Sequence, residues 1–372
     1  MTLCIITHVH HGYNNNSFYA YSPYVREMNI WSKNADQLIV VAPFNLEHKT
    51  AIHEFYTHSK IDFKKVSSFN FLTLSSIFKT LIQLPKISFT IYRAMKQSDH
   101  IHLRCPGNMG LLGCLLQLLF PSKAKTAKYA GNWDFTSKQP LSYRIQKWIL
   151  NNTFFTKNMT VLVYGEWENN SKNIRPFFTA SYQESDKREI ANKNLNSILN
   201  FIFVGSLTSG KNPLYAVKLI EKLKEKNYNV SLSIYGNGTE FKKLNEYIQK
   251  NQLDSFIKLM GNRNQDDVKL AYQNSHFVIL PSKSEGWPKV IAEGMFWKCL
   301  PIATKVSCVP NMLDNGNRGI LLTMNLDADC QIIETIILNE NLYQEKIQKA
   351  LNWSRKYTLD YFEEEIKKLV TS

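Results

Sequence analysis

Six short apolar runs, separated by helical patterns, restrict what the second half of this chain can fold into more than any other feature of its sequence. They are ILNFIFVGSL (198–207), VSLSIYG (230–236), FIKLMG (256–261), HFVILPS (276–282), CLPIATKV (299–306) and GILL (319–322). Each is a short run rich in apolar residues, and each reads as a buried parallel strand. Between most of them lie amphipathic helical patterns at 213–226, 240–250 and 265–275, and another opens at Pro288. Strand and helix alternating at this rhythm predict a doubly wound α/β domain with a parallel sheet.

The first half alternates less cleanly, with strand candidates at 2–7, 37–42, 100–105, 125–130 and 159–164, and a second α/β layer is expected there. The chain has 372 residues, more than one ordinary core supports, and two Rossmann-sized halves fit that length. The polar stretch 182–189 is the candidate hinge between them, and 343–370 reads as a long amphipathic helical pattern interrupted near Tyr357 and Thr358.

Composition narrows the class. With 44% hydrophobic and 20% charged residues the chain is of the globular type, and no apolar run reaches the ~18 residues of a spanning helix. The N-terminal MTLCIITHVHHG lacks the basic start and small-residue cleavage site of a signal peptide, so a cytoplasmic location is expected. Six cysteines scattered among apolar neighbours, without a C-x-x-C pair, predict reduced packing residues and neither disulfides nor a zinc site. The net charge of +14 is uneven: residues 1–185 carry 20 Lys and Arg against 10 Asp and Glu. Such an excess suits nucleic acid, an anionic membrane surface or a phosphorylated substrate. The segment IFKTLIQLPKISFTIYRAMK (77–96), with Lys79, Lys86, Arg93 and Lys96 among Leu, Ile and Phe, has the composition of a helix on a membrane interface. It equally suits a core-packing helix with a solvated basic side, and Pro85 would interrupt either version.

The stretch SEGWPKVIAEG (284–294) carries the chemistry. Pro288 suits the first helical position, which leaves Glu285 in the loop after a strand and puts Glu293 in the second turn, on an apolar face. A carboxylate there needs hydrogen-bonding partners, and ligand hydroxyls would serve. The helix N-terminus offers N–H groups to an anion such as a diphosphate, at the strand ends where open α/β sheets bind ligands. Other strand ends support this. FVGSLTSGKNP (203–213) carries Gly205 and reaches Lys211, placed to meet a phosphate as a point charge, and YGNGTEF (235–241) and MGNRNQDD (260–267) are glycine turns.

Taken together, FVGSLTSGKN, IYGNGTE, KLMGNR, ILPSKSEGWPKVIAEGM with its Glu-x7-Glu, CLPIAT and NGNRGILL resemble, in order and spacing over residues 198–325, the retaining nucleotide-sugar glycosyltransferases of family 4. The resemblance implies an α/β GT-B fold: two Rossmann-like doubly wound domains facing across a cleft, with a C-terminal helix crossing back to the N-terminal domain. The implied divisions are an acceptor-binding domain at 1–185, a nucleotide-sugar domain at 186–345 and the returning helix at 346–372.

By position, Glu285 would contact the donor sugar near the reacting carbon, Glu293 the ribose hydroxyls and Lys211 the diphosphate, while Gly261, Asn262 and Arg263 would face the base. Gly205, Ser206, Gly236, Asn237, Gly286, Trp287, Lys289 and Val290 complete the implied donor site. The family implies no bound metal and no resident cofactor, with a UDP- or GDP-linked sugar as co-substrate. Two departures stand out: Ser206 where the family has arginine, and Glu285-Gly286-Trp287-Pro288 where Glu-Gly-Phe-Gly is usual.

On the acceptor side, Arg104 joins Glu285 and Lys211 among the catalytic candidates, and His8, His11, Asn108, Asn132 and Asp134 are candidate acceptor contacts at strand ends. The pattern Asp327-Ala-Asp329, which in other transferases holds a metal, reads here as N-capping. The resulting expectation is a retaining transferase of hexosyl groups from a nucleotide sugar to a glycan or lipid-linked glycan, in bacterial surface polysaccharide or lipopolysaccharide assembly, in peripheral contact with an anionic membrane. The alternatives are a sugar-nucleotide epimerase of the same fold, a degenerate non-catalytic relative, and a nucleic-acid or anion-binding protein. The last lacks any stripe of aromatics interleaved with Lys and Arg.

Overall fold

The computed structural model describes residues 1–46, 48–50, 52–69 and 74–371, with only the backbone at 74–77 and 79. The chain forms two compact units, Met1–Phe177 with Glu363–Ser372, and Phe178–Phe362.

In the first unit the strands are β1 (Thr2–Ile6), β2 (His11–Asn14), β3 (Ser17–Tyr21), β4 (Gln37–Pro43), β5 (His53–Phe55), β6 (Ile61–Val66), β7 (His100–Cys105), β8 (Ala124–Tyr129), β9 (Met159–Tyr164) and β10 (Ile174–Phe177). Seven of them make a parallel sheet in the order β10-β9-β8-β7-β1-β4-β6, while β2, β3 and β5 form a small antiparallel sheet. The connecting helices are α1 (Ser22–Ser32), α2 (Leu74–Gln97), α3 (Asn108–Leu116) and α4 (Leu141–Leu150). Strand order reverses between β1 and β7, the switch point at which such sheets open a crevice. α2 runs unbroken through Pro85, whose ring is exposed, so the expected interruption does not occur. Lys79, counted among that segment's cations, has a side chain outside the described residues.

Two of the strands hold polar groups in the core. His100 Nε2 and His102 Nδ1 both meet Thr126 Oγ1 at 2.9 Å. Burial lowers His100 to about 4 and His102 well below its ordinary value, so both are neutral at pH 7.

The second unit contains β11 (Leu199–Val204), β12 (Val230–Tyr235), β13 (Ile257–Gly261), β14 (Phe277–Leu280), β15 (Leu300–Thr304) and β16 (Ile320–Leu322), all parallel, in the order β13-β12-β11-β14-β15-β16. Every one of the six apolar runs is a strand. Helices α5 (Pro213–Glu225), α6 (Phe241–Lys250), α7 (Gln265–Asn274), α8 (Lys289–Phe296), α9 (Val309–Met312), α10 (Leu326–Ile337) and α11 (Glu340–Ser354) cover the faces, and α12 (Leu359–Thr371) ends the chain. The sheet reverses between β11 and β14, and its core packs Phe201 on Phe277 with ring centroids 4.6 Å apart.

Some local expectations shift. α11 packs on α8, so residues 346–362 belong with the second unit, and only Glu363 onward counts with the first, where Glu365 pairs with Arg175. The stretch 182–189 is fastened inside the second unit, Asp186 to Lys269 and the Glu184 N–H to Asp360, rather than free to hinge. Asn325, not an aspartate, caps α10, accepting from the N–H groups of Asp327 and Ala328. Asp329 is instead fully buried, accepting from the N–H groups of Thr323 and Met324 and from the hydroxyls of Thr323 and Tyr215.

Candidate functional site

At the switch point of the second sheet, two loops meet. After β11 the chain turns through Gly205 to Lys211, whose N–H donates to the Thr208 carbonyl, and α5 begins with Pro213 behind a left-handed Asn212. After β14 it passes through Ser282 to Glu285 before α8. The Lys283 N–H donates to the Gly210 carbonyl at 2.8 Å, tying the loops together, and Lys211 Nζ reaches Glu285 Oε1 at 2.5 Å. Glu285 is 7% exposed at its side chain and Lys211 29%. A carboxylate that deep needs a hydrogen-bonding partner, and Lys211 supplies one.

The neighbouring strand ends are laced to the same place. Gly205 N–H donates to Tyr235 O, Leu207 N–H to Asn237 O, and Gly236 N–H to Gly261 O. Gly236 has φ of +137° and an added Cβ would lie 1.9 Å from the Gly205 carbonyl oxygen, so only glycine fits. Ser307 Oγ and Cys308 Sγ both donate to the Gly286 carbonyl, bracing the loop from beyond β15. Trp287 stacks on Trp353 of α11 with centroids 5.9 Å apart. Pro288 caps α8 instead of occupying its first turn, and Lys289 and Val290 open the helix.

Glu293, in the second turn of α8, accepts from Ser181 Oγ at 2.5 Å and from Tyr272 OH at 3.2 Å. The hydroxyls expected of a ligand are here supplied by the chain. Neither partner was signalled in the sequence, since Ser181 lies 112 positions away in irregular chain. Asn262 and Arg263 are exposed after β13, and the Arg263 Nε–H donates to the Met260 carbonyl. β13 is two strands from β11, so Arg263 leaves from a different strand end than Ser206 and Lys211.

In the first unit the candidates separate into two groups. His8 follows β1 and lies over Gly107, where an added Cβ would come 2.8 Å from its Nδ1. Its surroundings, and then the charges of Arg104 and His10, lower its pKa. Arg104 ends β7 and donates to Glu27 at 2.7 Å. Lys128, its registered neighbour on β8, reaches the same oxygen at 3.0 Å. His11 is a correction: it is fully buried, with Nδ1 at 2.8 Å from the Val9 carbonyl, Nε2 at 2.8 Å from Tyr56 OH, and burial lowering it to about 4. It braces the core. Asn108 donates to the Phe69 carbonyl 39 positions away, whereas Asn132 accepts from the Asp134 N–H and Asp134 accepts from Thr136, bonds that build turns. Among the described residues no three His, Cys, Asp or Glu side chains are placed to hold a metal ion.

Residues 184–353 match the family model described as glycosyl transferases group 1. That stretch lies within the second unit and includes Lys211, Glu285 and Glu293. An uncharacterized glycosyltransferase of Methanocaldococcus jannaschii is 32% identical over 38% of this chain and 39% of its own length. The GalNAc-alpha-(1->4)-GalNAc-alpha-(1->3)-diNAcBac-PP-undecaprenol alpha-1,4-N-acetyl-D-galactosaminyltransferase of Campylobacter jejuni is 25% identical over 45% of this chain and 47% of its own. The chain thus spans less than half the length of these two curated relatives. Among solved structures, Anabaena HepE in complex with UDP and glucose superposes with a TM-score of 0.70 over 100% of this chain and 99% of that one, at 13% identity. At that identity the likeness shows the fold, which is α/β of the GT-B type.

Proposed function

We propose that the protein is a retaining glycosyltransferase that moves a sugar from a nucleotide sugar to a glycan or lipid-linked glycan acceptor during bacterial surface polysaccharide or lipopolysaccharide assembly. The observation that carries this reading is the Lys211–Glu285 pair at the switch point of a sheet whose sequence matches group 1 glycosyltransferases. A diphosphate entering at the start of α8 competes for Lys211, and Glu285 is then released to accept hydrogen bonds from the donor sugar. The helix dipole and Lys211 carry the leaving-group charge. Glu293 turns from Ser181 and Tyr272 to the ribose hydroxyls, and His8 and Arg104 contact the acceptor. The sugar carbon exchanges its bond to the diphosphate oxygen for one to the acceptor hydroxyl. UDP is the favoured carrier, in keeping with HepE, and the undecaprenol acceptor of the Campylobacter relative supports a lipid-linked one. Among the described residues no helix is long and apolar enough to cross a membrane, and the proposed location is the inner face of the cell membrane, in peripheral contact.

The test is a panel of UDP-, GDP-, ADP- and CMP-sugars followed by proton NMR. One donor is expected to be consumed selectively, with the released or transferred sugar appearing first in the anomeric configuration that the donor carries. First appearance of the opposite anomer would rule out retention.

A further inference from the structure

A cavity of about 420 Å³ opens where β4 and β6 end and α2 passes over them. Its polar wall includes Asn45, Lys65, Ser67, Ser68, Gln83 and Lys86, and among the described residues no acidic side chain lines it. Among the described residues neither lysine has a carboxylate within ion-pair distance; Lys65 instead sits over the Phe44 ring, 4.8 Å from its centroid. The sequence explains this one-sided charge: from 63 to 98 it carries six Lys and Arg and no Asp or Glu. Some cations close by in the unit are matched, as Lys64 is by Asp62 and Arg104 by Glu27. The cavity also stands at the carboxyl edge of the sheet, where ligands of open α/β folds bind.

Lys86 belongs to two surfaces at once. On α2 it follows Phe78 and Ile82 and precedes Phe89 at helical spacing, and those three side chains are 67%, 66% and 60% exposed. An anionic head seated between Lys65 and Lys86 would therefore have an apolar, aromatic ridge directly beside it.

We infer that this cavity is a binding site for a phosphate-bearing ligand, with Lys65 and Lys86 as its charge partners and Asn45, Ser67, Ser68 and Gln83 as hydrogen-bonding groups. Resting on the transferase reading, the ligand is the anionic part of the acceptor. The shared chemistry is a phosphate or diphosphate ester, borne either by a soluble phosphorylated glycan or by a lipid head whose chain lies along Phe78, Ile82 and Phe89.

Calorimetric titration of the full chain with pyrophosphate and with geranyl diphosphate tests this, using wild type, Lys65→Ala/Lys86→Ala and Lys211→Ala. Both lysines are exposed, so the double variant is expected to fold, which circular dichroism checks. Lys211→Ala is expected to retain a binding event that the double variant loses by at least tenfold. Geranyl diphosphate binding tenfold or more tighter than pyrophosphate would identify the lipid head as the source. Equal affinities would identify a soluble phosphate ester. Binding by the double variant equal to wild type, or no event beyond the one removed by Lys211→Ala, overturns the site. The two readings fail separately: lysine-dependent binding in a protein that consumes no nucleotide sugar would sink the transferase and leave the anion site standing.

Discussion

Glu285→Ala is expected to lower nucleotide-sugar turnover by about 10²–10³-fold, the loss typical when one preorganised electrostatic partner of a transition state is removed. The side chain is nearly buried at the switch point and bound to a single described cation, Lys211, at 2.5 Å. In the proposed reaction, removing it withdraws the acceptor of the donor's hydroxyls and also frees Lys211, the proposed diphosphate partner, from its place in the pair. Lys211→Ala should fall in the same range, and the double variant should fall little further than either single one, because groups that act as a unit are not additive. Steady-state kcat on the selected donor checks this. A decrease of less than threefold for Glu285→Ala would mean that the pair only holds two loops together.

The largest expected loss of stability lies in the other unit. Glu27 on α1 is 9% exposed at its side chain and accepts from Arg104, which is 12% exposed, and from Lys128, which is fully buried. Glu27→Ala leaves two buried cations side by side on adjacent strands, without the carboxylate that holds them. Breaking a buried pair in this way costs about 3–5 kcal/mol, because an uncompensated charge remains. Glu27→Gln keeps an acceptor oxygen and the volume but not the charge, and should lose less. Urea unfolding monitored by tryptophan fluorescence gives both values. A loss below about 1 kcal/mol for Glu27→Ala would show that water or rearrangement reaches the cluster.

The contrast between the two units explains what could be read from the sequence. In the second, β11, β14 and β15 are buried on both faces, β12 alternates, and the helices between the strands are amphipathic, so the apolar runs located all six strands, and glycine turns marked where the loops approach one another. The Glu285 loop and Lys211 fell together because both follow strands that flank the point where the order reverses. In the first unit β2, β3, β5, β6 and β10 carry polar residues at half-buried positions, as in the charged IDFKKV of β6, and their patterns are too short or too mixed to separate from loop. Partners that come from distant chain segments were out of reach: Ser181 and Tyr272 for Glu293, Glu27 for Arg104, Tyr56 for His11. A histidine soon after a strand looks the same in sequence whether it faces solvent, as His8 does, or opens the next strand and is buried against Tyr24 and Tyr56, as His11 is. The cavity lysines Lys65 and Lys86 were likewise visible only as part of a basic excess, since it is the fold that brings 65 and 86 to one wall.

In the proposed reaction the crevice at the end of β11 and β14 seats a nucleoside diphosphate, and titrating UDP and GDP into wild type, Lys211→Ala and Glu293→Ala puts this to the test. The expected result is saturable binding of one nucleotide at a single site, weakened at least tenfold by each substitution, with the Lys211 effect on the diphosphate absent when the corresponding nucleoside is used instead. Failure of either nucleotide to bind, or equal binding by all three proteins, would contradict it.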